Sequence, residues 1–134
     1  MIVGIGCDLA NIERIEEVLA KFGTRFINRA FSEQEKRELQ RRKKLSSKEY
    51  ACAVAKRFAA KEACSKALGT GFRDGIFMRD IEIVHQLSGK PDMKLYNGVR
   101  RYCDELCVGR PYKIYVTMTD DYPWAQAFVI VEII

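Results

Sequence analysis

Ser46-Ser47-Lys48-Glu49 has the pattern of a capping box, and Gly69 is the usual kind of residue just past a helix end. Between them the sequence predicts one long helix. In a chain of 134 residues, an element of that size is the body on which the rest must pack. Val54, Ala55 and Phe58 form an apolar stripe along it, and Glu62 falls one turn further on. A carboxylate on a core-facing stripe is costly to bury unless something positive sits against it. Lys66 at i+4 and Lys61 beside it supply that charge. The plainer alternative is an ordinary Glu62–Lys66 surface pair of modest value.

The length suits a single domain, 1–134, with a real core. No apolar run approaches membrane-spanning length, and the first residues lack the basic region and cleavage site of a signal peptide. Five cysteines (Cys7, Cys52, Cys64, Cys103, Cys107) without a CxxC pair, and one histidine, His85, argue against zinc. Reduced thiols and a cytoplasmic location are expected. The net charge of +5 is concentrated: Lys36 to Lys48 holds seven Lys or Arg against one acid, Glu38. Such a patch attracts polyanions, whether nucleic acid, a phosphorylated cofactor or an acidic protein, unless it is simply a solvated helix face.

In chain order, Ile2-Val3-Gly4-Ile5-Gly6-Cys7 reads as a buried strand whose glycines admit close approach by another backbone or a ligand. Asp8 follows as a potential N-cap for a helix with Leu9, Ile12, Ile15, Leu19 and Phe22 on its buried side, ended by Gly23. Ser32-Glu33-Gln34-Glu35 is a second capping box, opening a charged helix to about Lys44. After the long helix, Thr70 to Arg79 is loop. Ile81–His85 and Met93–Leu95 read as paired strands around Ser88-Gly89-Lys90-Pro91, Asn97–Cys107 as a helix, and Lys113–Met118 and Ala125–Ile133 as a hairpin. The predicted fold is α+β: a mainly antiparallel sheet packed with a long central helix and several shorter helices.

Asp8 and Glu62 are two carboxylates abutting apolar elements, with no His or Cys cluster beside them. That donor set suits a hard divalent cation, and magnesium characteristically takes one or two carboxylates, water and substrate phosphate oxygens. Lys61, Lys66 and the Gly69-Thr70-Gly71 turn offer cations and backbone amides for those phosphates. Gly4-Ile5-Gly6 is no dinucleotide fingerprint, because the third glycine and the following acid are missing from their places.

These residues carry a resemblance. Gly4-Ile5-Gly6-Cys7-Asp8 followed by Arg14, and the stretch from Arg57 to Gly71, are similar to the two signature motifs of the bacterial holo-[acyl-carrier-protein] synthase family of 4′-phosphopantetheinyl transferases. Gly89-Lys90-Pro91 resembles that family's third marker, and Val116-Thr117-Met118-Thr119 its late strand. The resemblance spans nearly the whole chain and implies that family's fold. The activity it implies is transfer of phosphopantetheine from coenzyme A to a serine of apo-acyl carrier protein, releasing adenosine 3′,5′-bisphosphate, in fatty acid biosynthesis.

By position, the resemblance makes Asp8 and Glu62 the Mg²⁺ ligands and Lys61 and Lys66 the stabilisers of phosphoryl charge, Lys66 with the larger effect. Glu62, directly or through a metal-bound water, accepts the serine proton. Ser65, Gly69, Thr70 and Gly71 line the pantetheine-phosphate side, and Pro91 and Thr117 lie near the adenosine. The family is a homotrimer with sites between protomers, so Lys44 and Arg57 reach the 3′-phosphate from a neighbour. The acidic carrier protein docks on the first helix at Arg14, Lys21 and Arg25. Two departures stand out. Tyr115 and Asp120 occupy places where many members have histidine, and Asp120 cannot take a neutral histidine's part. The loop after Thr119 is about two residues shorter than usual. A nucleic-acid binder using the Lys36–Lys48 patch is the rival reading, but its strands would interleave aromatic and basic residues, whereas these are mostly aliphatic.

Overall fold

Two glycines decide how the molecule closes. The computed structural model describes residues 1–134, and its first strand, β1 (Ile2–Asn11), lies directly along the long helix α3 (Ser47–Leu68). A Cβ on Gly6 would stand 1.9 Å from the carbonyl oxygen of Ala63, and one on Gly4 would stand 2.1 Å from that of Ala67. Only glycine permits this approach. The helix answers with small side chains: Ala55, Ala59, Ala60 and Ala63 are fully buried.

Between β1 and α3 come α1 (Ile12–Ala30) and α2 (Glu33–Leu45). After α3 the chain passes a single 3₁₀ turn, Met78–Asp80, then β2 (Ile81–His85), β3 (Pro91–Leu95), α4 (Asn97–Leu106), β4 (Tyr112–Asp121) and β5 (Trp124–Ile133). The strands form two sheets rather than one: β1-β5-β4, and the hairpin β2-β3, antiparallel throughout. One apolar cluster joins α3 and α4 to the inner faces of both sheets, through residues such as Cys64, Ile81, Val99 and Val129. A second, with Ile12, Ile15, Phe31, Leu39 and Val54, seals α1 and α2 against the first half of α3. No helix is long and apolar enough to cross a membrane. All five cysteines are free thiols.

The helix ends follow their local chemistry. Ser32 forms the full reciprocal capping box with Glu35, Ser46 accepts from the Glu49 amide at 2.9 Å, and Gly69 closes α3 in the left-handed region at φ 77°. Other expectations need correction. Asp8 is not a helix cap: β1 continues through it to Asn11, whose side chain accepts from the Glu13 amide at 2.9 Å. Leu9 therefore belongs to the strand and is exposed, as is Phe22. Gly23 does not end α1, which runs on to Ala30 because Phe26, Ile27 and Ala30 keep its apolar stripe packed on the second core. The final hairpin is tighter than expected, with only Tyr122 and Pro123 between its strands.

Candidate active site

Asp8 sits on the β1 edge of its sheet, at an even position shared with Gly4 and Gly6, and so faces α3. Glu62 and Lys66 come up to it one helical turn apart. Lys66 Nζ donates to Asp8 Oδ1 at 3.0 Å and to the Cys7 carbonyl oxygen at 3.1 Å. The pair joins unequal partners: the Asp8 side chain is 16% exposed and that of Lys66 55%. The Asp8 contact pushes the Lys66 ammonium pKa upward. Burial, and then the neighbouring Asp8 carboxylate, push Glu62 above the usual carboxylate range, and Lys66 offsets only part of this. Two carboxylates close enough to repel, with one flexible ammonium between them, form a concentrated anionic spot at the end of a strand. The surface Glu62–Lys66 pair does not form as a salt bridge; Lys66 pairs with Asp8.

This donor set fits a hard cation and excludes a closed metal cage. No group of three or more His, Cys, Asp or Glu side chains converges anywhere in the chain. Two carboxylates on a half-open edge are what a cation retaining water and taking phosphate oxygens requires. The adjoining turn, past the end of α3, supplies the rest. Gly69 and Gly71 hold positive φ of 77° and 63°, a backbone in which a side chain is strained. Thr70 is 9% exposed, and its hydroxyl has no partner within the chain.

Three residues expected at the phosphates face inward instead. Lys61 is fully buried, and its ammonium is taken by Glu35 Oε1 at 2.7 Å and the carbonyl oxygens of Met78 and Ile81. The other Glu35 oxygen accepts from the Ile83 amide at 3.2 Å, so α2, α3 and β2 are tied at one point. Lys61 is therefore a structural cation, and a phosphate role for it is withdrawn: all three ammonium protons are committed to oxygens out of solvent reach. Arg57, one turn earlier on the same face, is 2% exposed and lies 3.1 Å from Glu38. Ser65, 3% exposed, donates its hydroxyl to the Glu62 carbonyl oxygen at 2.8 Å. Neither Arg57 nor Ser65 presents a free group on this chain's surface.

The remaining expected residues do not converge on Asp8 and Glu62 within one chain. Arg57 is five residues before Glu62, about 7.5 Å along the helix and about 140° around it. Glu38 also lies 3.4 Å from His85 Nδ1, and His85 is paired in register with Pro91. Lys56, beside Arg57, meets Asp120 at 3.4 Å. Lys44 is exposed near the end of α2. Arg57 and His85 thus meet at Glu38, with Pro91 paired to His85, on a side of α3 turned from the carboxylate pair, and Asp120 is held separately by Lys56. Thr117 lies two strands from Asp8, on the outer face of the sheet beside Phe128. Arg14, Lys21 and Arg25 are exposed on α1 and form no salt bridge. An apolar groove with Val18, Phe22 and Phe26 opens beside Arg25 and Arg29, a feature the charge pattern alone did not reveal.

Comparison with known proteins gives one answer. The family model described as the 4′-phosphopantetheinyl transferase superfamily matches residues 4–127. A holo-[acyl-carrier-protein] synthase of Erythrobacter litoralis is 52% identical over 133 residues, which cover 98% of this chain and 97% of that protein. The crystal structure of holo-[acyl-carrier-protein] synthase from Neisseria meningitidis superposes with a TM-score of 0.83 at 35% identity, covering 98% of this chain and 99% of that one. The Bacillus anthracis enzyme, solved in complex with CoA (3′,5′-ADP), superposes with a TM-score of 0.79 at 32% identity over 100% and 99% of the two chains. With the strand-borne aspartate, the helix-borne glutamate and lysine, and the glycine turn in this order, the chain belongs to the holo-[acyl-carrier-protein] synthase family of 4′-phosphopantetheinyl transferases.

Proposed function

We propose that this chain, as a single transferase domain, moves 4′-phosphopantetheine from coenzyme A to a serine hydroxyl of apo-acyl carrier protein. The products are holo-acyl carrier protein and adenosine 3′,5′-bisphosphate, and the setting is cytoplasmic fatty acid biosynthesis. The observation that carries this reading is the convergence of Asp8, Glu62 and Lys66 beside the Gly69–Gly71 turn. Asp8 and Glu62 hold Mg²⁺, which supplies neutralisation of charge on the diphosphate oxygens. Lys66 neutralises the phosphoryl group that is transferred, and the backbone of Gly69, Thr70 and Gly71 borders the pantetheine side. The serine oxygen attacks the phosphorus bearing pantetheine. Its bond to the bridging oxygen breaks, and that oxygen leaves with the adenosine bisphosphate. The serine proton passes to Glu62 as the carboxylate beside the reacting phosphorus.

Coenzyme A is long, and the adenosine-side residues Lys44, Pro91 and Thr117 lie away from the carboxylates. A site completed by a second copy accommodates both halves, which favours the homotrimer. The outer face of the β1-β5-β4 sheet supports self-association: Ile5 is 66% and Phe128 43% exposed there, on neighbouring strands. Arg14, Lys21 and Arg25 receive the acidic carrier protein, with the groove at Val18 and Phe22 beside them. The test is intact-mass measurement of apo-acyl carrier protein incubated with this protein, coenzyme A and Mg²⁺, with and without EDTA. A gain of one phosphopantetheine, abolished by EDTA, is expected. No gain across several carrier proteins would overturn the assignment.

A further inference from the structure

We infer that Lys66 is the resident counter-ion of the cation site: it holds Asp8 in the ligand-free protein and must leave it before a divalent ion can bind. This rests on the reading of Asp8 and Glu62 as cation ligands. The ammonium takes two oxygens, both from β1: Asp8 Oδ1 at 3.0 Å and the Cys7 carbonyl at 3.1 Å. The titratable groups facing it are Asp8 and the Cys7 thiol on β1 and Glu62 on α3. A divalent ion at coordination distance from Asp8 would stand beside that ammonium with like charge, and the two compete for one carboxylate.

The exit route is built in. Asp8 is held on the strand with its side chain 16% exposed, whereas Lys66 reaches it on a four-carbon stem that is 55% exposed. Rotation of that stem releases the carboxylate without moving the helix. The displaced ammonium then needs an anion, and a diphosphate entering with the cation supplies one on the same side of the helix. Cation and diphosphate thus bind cooperatively. The cation alone binds weakly, because it must break an ion pair and leave Lys66 unpartnered beside it.

Binding of Mn²⁺ alone to the full-length protein, without coenzyme A, tests this by counting free Mn²⁺ by electron paramagnetic resonance. Lys66→Met is expected to bind Mn²⁺ about fivefold more tightly than wild type, the size of a partly exposed ion pair removed. Lys66→Arg, which keeps the charge, is expected to bind like wild type. Unchanged or weaker binding by Lys66→Met overturns the proposal, as does Lys66→Arg behaving like Lys66→Met, or no binding by any of them. An Asp8→Asn/Glu62→Gln variant separates the two levels. Undiminished Mn²⁺ binding there removes the cation site itself. Loss there, with wild-type affinity in Lys66→Met, removes only the counter-ion role.

Discussion

Glu62 and Lys61 are neighbours in sequence and opposites in role, so they separate function from stability at single-residue resolution. Glu62→Gln keeps the shape and removes the charge. Transfer activity is expected to fall by at least about 100-fold. Stability moves the other way. A carboxyl whose pKa is raised in the folded state stabilises the fold at low pH and loses that contribution as pH rises through the folded value. At pH 7 without metal, ionised Glu62 works against folding, and Glu62→Gln is expected to melt on the order of 2 °C higher. Lys61→Ala is the reverse case. It leaves Glu35, 1% exposed, as an uncompensated buried carboxylate, and urea unfolding is expected to show a loss of about 3–5 kcal/mol. Adding Glu35→Gln removes that charge while keeping an acceptor for the Ile83 amide, and should restore at least about half of the loss. The sequence singled out Asp8 and Glu62 as carboxylates abutting apolar elements, but that they come together depends on β1 running along α3, which no local pattern reveals. It could not show which way Lys61 points. Helix α3 is buried on nearly every side, so helical periodicity offers no polar face against which to read a lysine.

At the scale of elements, the seam between β1 and α3 sets the spacing of the site. Gly6→Ala places a methyl 1.9 Å from the Ala63 carbonyl oxygen, two residues before Asp8 on the strand. The backbone must yield, carrying Asp8 away from Lys66 and Glu62. The expected cost is about 3 kcal/mol in stability, with loss of transfer activity even at temperatures where the variant remains folded. Gly23→Ala is the contrasting case, since nothing lies within 4 Å of the added Cβ and the position is inside α1. A gain of about 0.5–1 kcal/mol is expected in the same unfolding measurement. The same two positions mark what sequence reading can resolve. The Ser32–Glu35 capping box, the Ser46 N-cap and the terminal Gly69 were legible, because a cap is a local device made by residues three apart; the second box is only half made, since the Ser46 amide donates to the Arg42 carbonyl instead of to Glu49. The passage of α1 through Gly23 was not, because it depends on packing of Phe26 and Ile27 against distant residues, and tertiary contact overrides the local penalty. The division of the strands into two sheets was hidden likewise, since β1 pairs with β5 across almost the whole chain.

For the whole molecule, the decisive feature is that α3 turns the side chains before and after its midpoint toward different partners. Glu62 and Lys66 turn toward β1, whereas Arg57 turns toward Glu38 on α2. A ligand that needs Asp8–Glu62 together with Lys44 and Pro91 lies between copies in the proposed ring, with each protomer giving one half to each neighbour. That arrangement can be distinguished from a site complete within one chain. Glu62→Gln disables one half, and Lys44→Glu, at an exposed position, weakens the other by charge reversal. Each homogeneous variant carries the same fault in every site. When the two are co-refolded in equal amounts, random assembly gives about one site in four with an intact half from each neighbour. Activity is then expected to rise from the low level of either parent toward about a quarter of wild type, with particle size by sedimentation confirming that mixed assemblies formed. If each chain were self-sufficient, mixing could do no better than average the two parents, and that result would overturn the shared-site arrangement while leaving the transferase assignment standing.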